Sequence, residues 1–414
     1  MKVLALTEGA PYPPDTGWRL RTWNLLSRLV SNHDITVVCH AASEERSAVD
    51  CLREQGFGVV PVWRRRRART GPRFYASLLL NLTDPRPYLV SAHRSRALQT
   101  QVADLLSSGQ FDVVHCDWTP LAANLPARCG PPVVVTAHSI ESAAWGRHGQ
   151  HQPNRVRAAY TALQASKLAS YERSAFELAT RIVAVSDLDA ETIAAWGFGE
   201  RVCVVRNGTD TRYFRPTGKP SRDTHLVFVG SLDAMVNQDA VRWFARDILP
   251  RLRSTNRAVS VTIVGRRPPA SLYRLAKEAA FTVAADPADV RPFIEEAGVY
   301  VVPLRIGGGT RLKILEAWAM ERAVVSTLVG AEGLDARAGE DIVLADEPQE
   351  FADAVLALIS SPSVRRRIGE LARKKAVQQY DWASIAPALG DAWAQAAFHQ
   401  RETRAEAVHE SAPR

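Results

Sequence analysis

The feature that most constrains the fold of this chain is a series of short, uninterrupted apolar runs, each followed by a longer stretch with helical spacing. Continuous apolar runs without alternation are typical of strands covered on both faces, as in parallel sheets. Strands and helices that alternate along the whole chain predict a doubly wound α/β architecture. The predicted strands are Lys2–Leu6, Ile35–Cys39, Val113–Cys116, Val133–Thr136, Ile182–Val185, Val202–Arg206, Leu226–Val229, Val261–Val264, Tyr300–Pro303, Val324–Thr327 and Ile342–Leu344.

One interruption in this series predicts a domain boundary. The chain has 414 residues, a length that favours two domains. Residues 214–224 contain two prolines and a glycine and lack an apolar period, as linkers do. A new strand starts at Leu226. We therefore predict a first domain over residues 1–215 and a second over 216–383, with a polar, flexible tail over 401–414.

Composition argues against several classes of protein. No stretch approaches the roughly 18 apolar residues of a membrane span. The N-terminal apolar run is short and meets Glu8 at once, so we expect a buried first strand in a cytoplasmic protein. The five cysteines are scattered, odd in number and without a Cys-x-x-Cys pair, which argues against a disulfide framework and a structural zinc site.

The net charge of +8 is partly concentrated in the basic run from Arg64 to Arg69. Such a run is usually a solvated loop. The alternative is attraction to an acidic acceptor or to anionic lipid headgroups, as in a peripheral contact with the inner face of a membrane. Binding of nucleic acid is not expected, because no recognition motif accompanies the charge and no stacking aromatics are interleaved with it.

The segment most informative about function covers residues 303–319, which predict a strand, a glycine loop and a helix. Glycines let the backbone approach a ligand closely, and free amides at a helix N-terminus favour phosphate. Arg311 and Lys313 add cations where they oppose the helix dipole, so an anionic ligand explains them better than helix stability does. The loop residues expected to contact phosphate are Gly307, Gly308, Gly309, Thr310 and Arg311.

Residues 307–319 resemble the G-G-G-T-R-L-K-x-L-E-A-x-A segment of family 4 glycosyltransferases, which are retaining enzymes of the GT-B fold. Further similar segments, in the same order as in that family, are Pro13–Arg19, Thr136–Glu141, Ala184–Ser186, Arg206–Asp210, Val229–Asp233, Ala323–Thr327, Gly330–Leu334 and Tyr380–Trp382. The resemblance implies two Rossmann-like, doubly wound parallel-sheet domains that face a central cleft. It also implies a nucleotide sugar as co-substrate, no cofactor and no metal, and a closing helix over residues 384–400 that crosses back to the first domain.

The resemblance also implies roles for single residues. Glu316 would hold the ribose of the nucleotide, and Arg311 and Lys313 would bind its diphosphate. His138 would contact a hydroxyl of the donor sugar, with a buried structural histidine as the alternative. Gly17 would let the loop after the first strand approach the donor phosphates.

Other positions are weaker candidates. On the acceptor side, Arg19 would add charge, Asp117 would line the site or cap a helix, and Glu141 would face the site or start a helix. On the donor side, Gly230 opens the second domain. Glu332 would support the loop near the nucleotide or lie in a solvated turn.

The sequence departs from the family pattern in two places. Gly308 stands where the family often has a glutamate, so amides of the glycine loop would have to recognise the sugar hydroxyls. Ser231 and Val236 stand where the family often has an arginine and a lysine. We infer that Arg311 and Lys313 replace these two cations.

The predicted function is a retaining transfer of a hexosyl group to a glycan, a lipid-linked or a small-molecule acceptor. Fixed cations and helix amides would stabilise the diphosphate leaving group. The sequence shows no convincing carboxylate pair of the kind that retaining glycosidases use. A nucleotide-sugar epimerase on the same scaffold and a non-catalytic partner protein stay open as alternatives.

Overall fold

The apolar runs before and after the interruption near residues 214–224 form two separate parallel sheets. The computed structural model describes residues 1–64, 70–150, 152, 154–306 and 312–410, with side chains as far as residue 402. The chain divides into two units by internal contacts: a first unit of Met1–Arg206 with Ile385–Arg414, and a second unit of Asn207–Ser384. The sequence-based boundary between residues 215 and 216 stays a prediction beside this division.

The first unit contains a sheet of seven parallel strands in the order β3-β2-β1-β4-β5-β6-β7. Its strands are β1 (Lys2–Thr7), β2 (Asp34–Ala41), β3 (Gly58–Trp63), β4 (Val113–Cys116), β5 (Val133–Ala137), β6 (Arg181–Ala184) and β7 (Val202–Val204). The order reverses between β1 and β4. Strand β1 is buried from Val3 to Leu6 with no exposed surface, as its continuous apolar run requires.

In the described part of the first unit, α-helices connect these strands. They are α1 (Gly17–Leu29), α2 (Arg46–Glu54), α3 (Pro72–Leu80), α4 (Tyr88–His93), α5 (Arg96–Ser107), α6 (Glu141–Gln150), α7 (Arg155–Glu177) and α8 (Asp187–Ile193). Local sequence fixes several starts: the Asn154 side chain accepts from two amides at the start of α7, Ser186 caps α8, and Pro72 occupies the first turn of α3.

The second unit repeats the plan with six parallel strands in the order β10-β9-β8-β11-β12-β13. The strands are β8 (Arg222–Val229), β9 (Ser260–Gly265), β10 (Thr282–Ala285), β11 (Ala297–Val302), β12 (Val324–Ser326) and β13 (Val343–Leu344). Its helices are α9 (Met235–Trp243), α10 (Leu249–Thr255), α11 (Ala270–Glu278), α12 (Arg291–Glu296), α13 (Leu312–Ala319), α14 (Leu328–Ala331), α15 (Pro348–Ser360) and α16 (Pro362–Gln379). A further helix, α17 (Trp382–Glu410), starts in this unit and belongs to the first unit from Ile385 onward.

Helices cover both faces of the second sheet, and β8 shows this most directly. Leu226 and Phe228 belong to one buried apolar cluster, which also contains Phe351 of α15. Val227 and Val229 belong to a second cluster around Trp318 of α13. Successive side chains of a strand point to opposite faces, so an uninterrupted apolar run supplies both clusters.

Helix α17 carries the chain back into the first unit. Trp393 is fully buried there, and its ring lies 5.4 Å from His33 and 5.6 Å from His115 between centroids. The backbone is helical as far as Glu410, ten residues beyond the predicted end of the closing helix at residue 400.

The predicted fold class, two doubly wound parallel-sheet domains, is confirmed. Two strands were missed, and both lie at sheet edges. Strand β3 contains Pro61 and no fully buried residue, and β10 is a four-residue strand with its ends exposed. An edge strand needs only one hydrogen-bonding neighbour and less apolar sequence, so its signal is weak.

The basic run is only partly described. The Arg64 amide donates to the Ala41 carbonyl at 2.9 Å, and residues 65–69 lie outside the described part of the chain. Helix α3 follows, with Tyr75, Leu79 and Leu80 exposed. Within the described ranges, no helix is both long and apolar enough to span a membrane. Among those same residues, no group of three or more His, Cys, Asp and Glu side chains is arranged to hold a metal ion.

Candidate functional site

Each unit carries a polar cluster where its strand order reverses. In open parallel sheets, ligands bind outside the carboxyl ends of the strands at such a reversal. In the first unit the reversal lies between β1 and β4, and the residues that follow β4 are Asp117 and Trp118. In the second unit it lies between β8 and β11, and β8 is followed by Gly230 and Ser231.

In the polar cluster of the second unit, the backbones of two glycines lie very close together. A Cβ atom on Gly265, at the end of β9, would lie 1.7 Å from the Gly230 carbonyl oxygen. The Gly230 amide donates to the Val264 carbonyl at 3.0 Å, which continues the β8–β9 pairing past the end of the strand. Only glycine allows the two strand ends to lie this close.

Lys313 extends from the first turn of α13 towards Gly230. Its Nζ donates to Asn237 Oδ1 at 2.8 Å and lies 4.2 Å from the centroid of the Phe228 ring. Asn237 Nδ2 in turn donates to the Ser231 carbonyl at 2.8 Å. A Cβ on Gly230 would lie 2.8 Å from Nζ, so the glycine leaves room for the ammonium group.

Asn237 lies inside α9, which starts at Met235, and it is buried. Its amide group joins Lys313 to the backbone after β8, as a positioning contact for the lysine.

Glu316 lies one turn after Lys313 on α13 and is a half-buried residue. Burial of its carboxyl group raises the pKa to about 7, although the nearby Lys313 charge opposes the shift. The same carboxylate contributes to raising the pKa of the buried Tyr300, after the larger effect of burial. A carboxyl group with a pKa near neutrality is partly ionised there and is suited to accept hydrogen bonds from ligand hydroxyls.

The remaining donor-side candidates are placed as follows. Ser231 Oγ accepts from Arg266 Nε at 3.1 Å. Glu332 is half-buried and follows α14 directly. Gly307, Gly308, Gly309, Thr310 and Arg311 lie outside the described residues, so their contacts with phosphate stay predictions.

Asp117 is the centre of the first cluster and is almost fully buried, at 3% exposure. Its carboxylate accepts from the Thr22 hydroxyl and lies 3.3 Å from His115 Nε2. Burial alone would raise the pKa of Asp117, but hydrogen bonds and charge from His115 and His138 hold it well below its usual value. Asp117 is therefore a buried anion held by neighbours, and it does not cap the short 3₁₀ segment Thr119–Asn124, whose N-cap is Trp118.

His138 follows β5 and is half-buried beside Asp117. Its Nε2 contacts the Asp117 carbonyl oxygen and lies 3.7 Å from the carboxylate Oδ1. A carbonyl only accepts, so this contact assigns the proton to Nε2. In the neutral ring Nδ1 is then the acceptor, suited to a sugar hydroxyl.

Glu141 is the first residue of α6, and its side chain accepts from Trp118 Nε1 at 2.9 Å. Burial raises its pKa despite that hydrogen bond. The amides at the start of α6 are capped by Glu172 of α7, which accepts from the Glu141 amide at 2.6 Å and from the Ser142 amide at 3.3 Å. Trp118 also packs edge-on against His93, with 4.9 Å between centroids.

Arg19 and Gly17 lie at the start of α1. Arg19 donates from Nη1 to Asp15 at 3.1 Å and from Nη2 to Glu45 at 2.7 Å, so two acids balance its charge. Gly17 is the first residue of the helix and is exposed. Their roles towards ligands stay predictions.

Sequence analysis missed three residues of these clusters: His115, Arg266 and Glu172. His115 is the third residue of β4, where the apolar run concealed it. Arg266 directly follows β9, and Ser231 is the second residue after β8, so the position of Arg266 after a strand was the available signal. Glu172 lies mid-helix in α7 and gave no local signal.

Comparison with known families matches both units. Residues 17–213 match the family described as Glycosyltransferase Family 4, and residues 223–361 match the family described as Glycosyl transferases group 1. Together the two matches cover most of each unit.

Similar proteins agree with this. The chain is 27% identical over 325 residues to a phosphatidyl-myo-inositol mannosyltransferase of Mycobacterium tuberculosis, covering 73% of this chain and 79% of that one. It is 25% identical over 165 residues to an uncharacterised 44.6 kDa protein in the cps region of Klebsiella pneumoniae, covering 38% of this chain and only 42% of that protein's length.

The fold is shared with Anabaena HepE, whose crystal structure contains UDP. The TM-score is 0.67 at 14% identity, covering 95% of this chain and 100% of that one. With one family match in each of two parallel-sheet units and a shared fold over nearly its whole length, the chain belongs to the family 4 glycosyltransferases of the GT-B fold.

Proposed function

We propose that the protein is a retaining, metal-independent transferase that moves a hexosyl group from a nucleotide diphosphate sugar to a hydroxyl of a glycan, a lipid-linked or a small-molecule acceptor. One observation carries the proposal: Gly230, Asn237, Lys313 and Glu316 converge at the strand reversal of the second unit. A cation, a close backbone approach and a carboxylate at such a position suit a diphosphate with an attached ribose.

Each donor-side residue has a distinct task in this proposal. Lys313 and Arg311 bind the diphosphate, and Glu316 accepts hydrogen bonds from the ribose. Gly307, Gly308, Gly309 and Thr310 offer backbone amides to the phosphates and the sugar. The first unit holds the acceptor, and His138 Nδ1 accepts a hydrogen bond from a sugar hydroxyl.

The reaction forms a bond between the acceptor oxygen and the anomeric carbon and breaks the bond from that carbon to the phosphate oxygen. Both events occur on one face of the sugar, and the departing phosphate takes the acceptor's proton. The main catalytic effect is electrostatic: fixed cations and amides stabilise the negative charge that develops on the diphosphate. In this proposal Lys313 and Arg311 do the work that a divalent metal does in other transferases.

The comparisons favour a hexose donor. A relative is named as a mannosyltransferase, and one structure of HepE, with a TM-score of 0.66, contains UDP-glucose. We therefore expect UDP-hexoses and GDP-mannose to be the first donors to test.

The test starts with a thermal-shift screen of UDP-, GDP- and ADP-sugars. A ligand that binds only the native state raises the melting temperature, because it stabilises the folded protein. At a ligand concentration a hundredfold above Kd, the free energy of unfolding rises by about 2.7 kcal/mol. Each donor that binds is then incubated with candidate acceptors, with and without EDTA, and the anomeric configuration of the product is read by NMR. An inverted product, or loss of transfer in EDTA, contradicts the retaining or the metal-independent part.

The same screen separates the alternatives. Isomerised sugar nucleotide in the absence of acceptor indicates an epimerase. Failure of every nucleotide sugar to raise the melting temperature indicates a non-catalytic partner, an outcome that the missing cations at Ser231 and Val236 make worth testing.

We also propose that the basic run and α3 form a peripheral membrane contact, which suits a lipid-linked acceptor. Support comes from Leu79 and Leu80, which are 67% and 75% exposed at the end of α3, the helix that follows the basic run in the sequence. Apolar side chains beside basic ones are typical of interfacial helices. Leu79→Gln with Leu80→Gln should reduce cosedimentation with anionic vesicles and leave binding to neutral vesicles low; unchanged binding to anionic vesicles contradicts the proposal.

A further inference from the structure

Arg266 and Ser231 are joined across two neighbouring strand ends. Arg266 Nε donates to Ser231 Oγ at 3.1 Å. The Leu232 amide also donates to the Arg266 carbonyl at 3.0 Å, so the backbones after β8 and β9 are tied together. The arginine is thereby held beside residue 231, the position at which this chain departs from its family by lacking a cation.

The close approach of Gly265 to Gly230 makes this arrangement possible. Because no side chain separates the two strand ends, the residue after β9 lies next to the residues after β8. An arginine at position 266 can therefore deliver its guanidinium to the place that a longer side chain at position 231 would occupy.

Lys313 reaches the same segment by another route. Its Nζ contacts Asn237, and Asn237 donates to the Ser231 carbonyl. Two cations from different elements are thus hydrogen-bonded to the residues that follow β8. Arg266, after β9, bonds to Ser231, and Lys313, on α13, bonds to Asn237. Charged donors held in fixed positions bind phosphate oxygens more strongly than neutral ones, and a guanidinium offers several donors at once.

We propose that Arg266 binds the diphosphate of the donor and replaces, from the neighbouring strand, the arginine that residue 231 lacks. The inference rests on the proposed function, since it assumes a nucleotide diphosphate ligand. Arg266 acts with Lys313, so the charge at the diphosphate has two described sources in addition to the predicted Arg311. The competing explanation is that Arg266 only ties two loops together.

The experiment compares UDP, UMP and uridine, or the GDP series where GDP-mannose is the donor that binds, by titration calorimetry on the full chain. Arg266→Gln keeps a hydrogen-bond donor for Ser231 but removes the charge. It should weaken UDP binding by about 10- to 100-fold, UMP binding less, and uridine binding not at all. Arg267→Gln is the matched control, because Arg267 is the next residue, is exposed, and pairs with Asp233 at 3.3 Å.

Two further variants separate charge from loop support. Ser231→Ala removes the hydrogen bond and keeps the guanidinium, so UDP binding should change less than about threefold. Adding Ser231→Arg to Arg266→Gln returns the charge from the family's usual position and should restore at least about tenfold of the lost affinity.

The outcomes are distinct. Equal weakening of UDP and uridine by Arg266→Gln would assign Arg266 to loop support and overturn the inference. Unchanged UDP binding by this variant, in a protein that binds UDP, overturns the inference alone. A wild-type protein that binds no nucleotide of either series overturns the proposed function together with it.

Discussion

The first and second units order their strands alike around a reversal, yet they place opposite chemistry there. The first unit buries an anion, Asp117, between two imidazoles and adds a second acid, Glu141, nearby. The second unit places Lys313 and Arg266 beside a close contact of two glycines.

In two sheets of the same strand order, the fold determines where a ligand can bind, whereas the residues that follow the strands determine which ligand binds. Under the proposed function, the anionic diphosphate is attracted to the second unit and repelled by the buried carboxylate of the first. The same proposal assigns a neutral, hydroxyl-rich acceptor to the first unit, where carboxylates and an imidazole can accept its hydrogen bonds.

The largest effect should follow from Lys313→Met. The change removes a fixed cation from the diphosphate and leaves Asn237 without its donor, so kcat/KM for transfer should fall about 10²- to 10³-fold. Lys277→Met is the control, because Lys277 is exposed on α11. Steady-state kinetics with a saturating acceptor measure the change, and circular dichroism should show an unaltered fold. Full activity of Lys313→Met would remove the central support of the comparison.

His138→Ala should lower transfer by about 10- to 100-fold, the usual range for one lost hydrogen bond to a reacting ligand. Binding of UDP or GDP to the free enzyme should not change, because the first unit contributes no cation to the diphosphate in this proposal. Calorimetry with the nucleotide and kinetics of transfer test both halves of the statement. A loss of nucleotide affinity equal to the loss of transfer would break the distinction between the units.

Gly230→Ala should lower nucleotide affinity by about tenfold. The added methyl group would lie 2.8 Å from Lys313 Nζ and 3.0 Å from Asn237 Nδ2, so the ammonium must move away from its present position. Gly130→Ala is a suitable control, since Gly130 is exposed and a Cβ there would meet no atom within 4 Å. If both variants bind the nucleotide alike, the close approach at Gly230 has no part in positioning Lys313.

The smallest effect concerns pH. Glu316 has a pKa of about 7 in the folded protein against an ordinary 4.5, so the folded state holds more protons than the unfolded state between these values. Its contribution to stability therefore falls as pH rises through this window. A ribose hydroxyl donates to the ionised form, so affinity for a nucleotide sugar should decrease below about pH 7 and stay flat in Glu316→Gln. Calorimetry measures the affinity of both proteins for the nucleotide sugar from pH 5.5 to 8. The same pH dependence in both proteins would show that Glu316 does not contact the ligand.

The central strands and the position of Lys313 at the start of a helix could be predicted from sequence. Burial on both faces leaves a continuous apolar run, and a cation after a glycine loop is a local signal. The edge strands β3 and β10 could not be predicted, since one bonded neighbour demands little of their sequence. Arg266 was missed for a different reason: it acts on Ser231 through a contact that exists only once β9 lies beside β8. Such contacts depend on strand order, which periodicity does not reveal.

The return of α17 to the first unit affects how the protein is made. Trp393 packs beside His33 and His115, and His115 contacts Asp117. Residues synthesised after the second unit therefore support the polar cluster around Asp117 in the first unit. During synthesis on the ribosome, the first unit cannot complete its packing until Trp393, which is fully buried in the folded protein, has been added. Nascent chains stalled before residue 385 should therefore expose apolar surface to chaperones, even though most of the first sheet has already been translated.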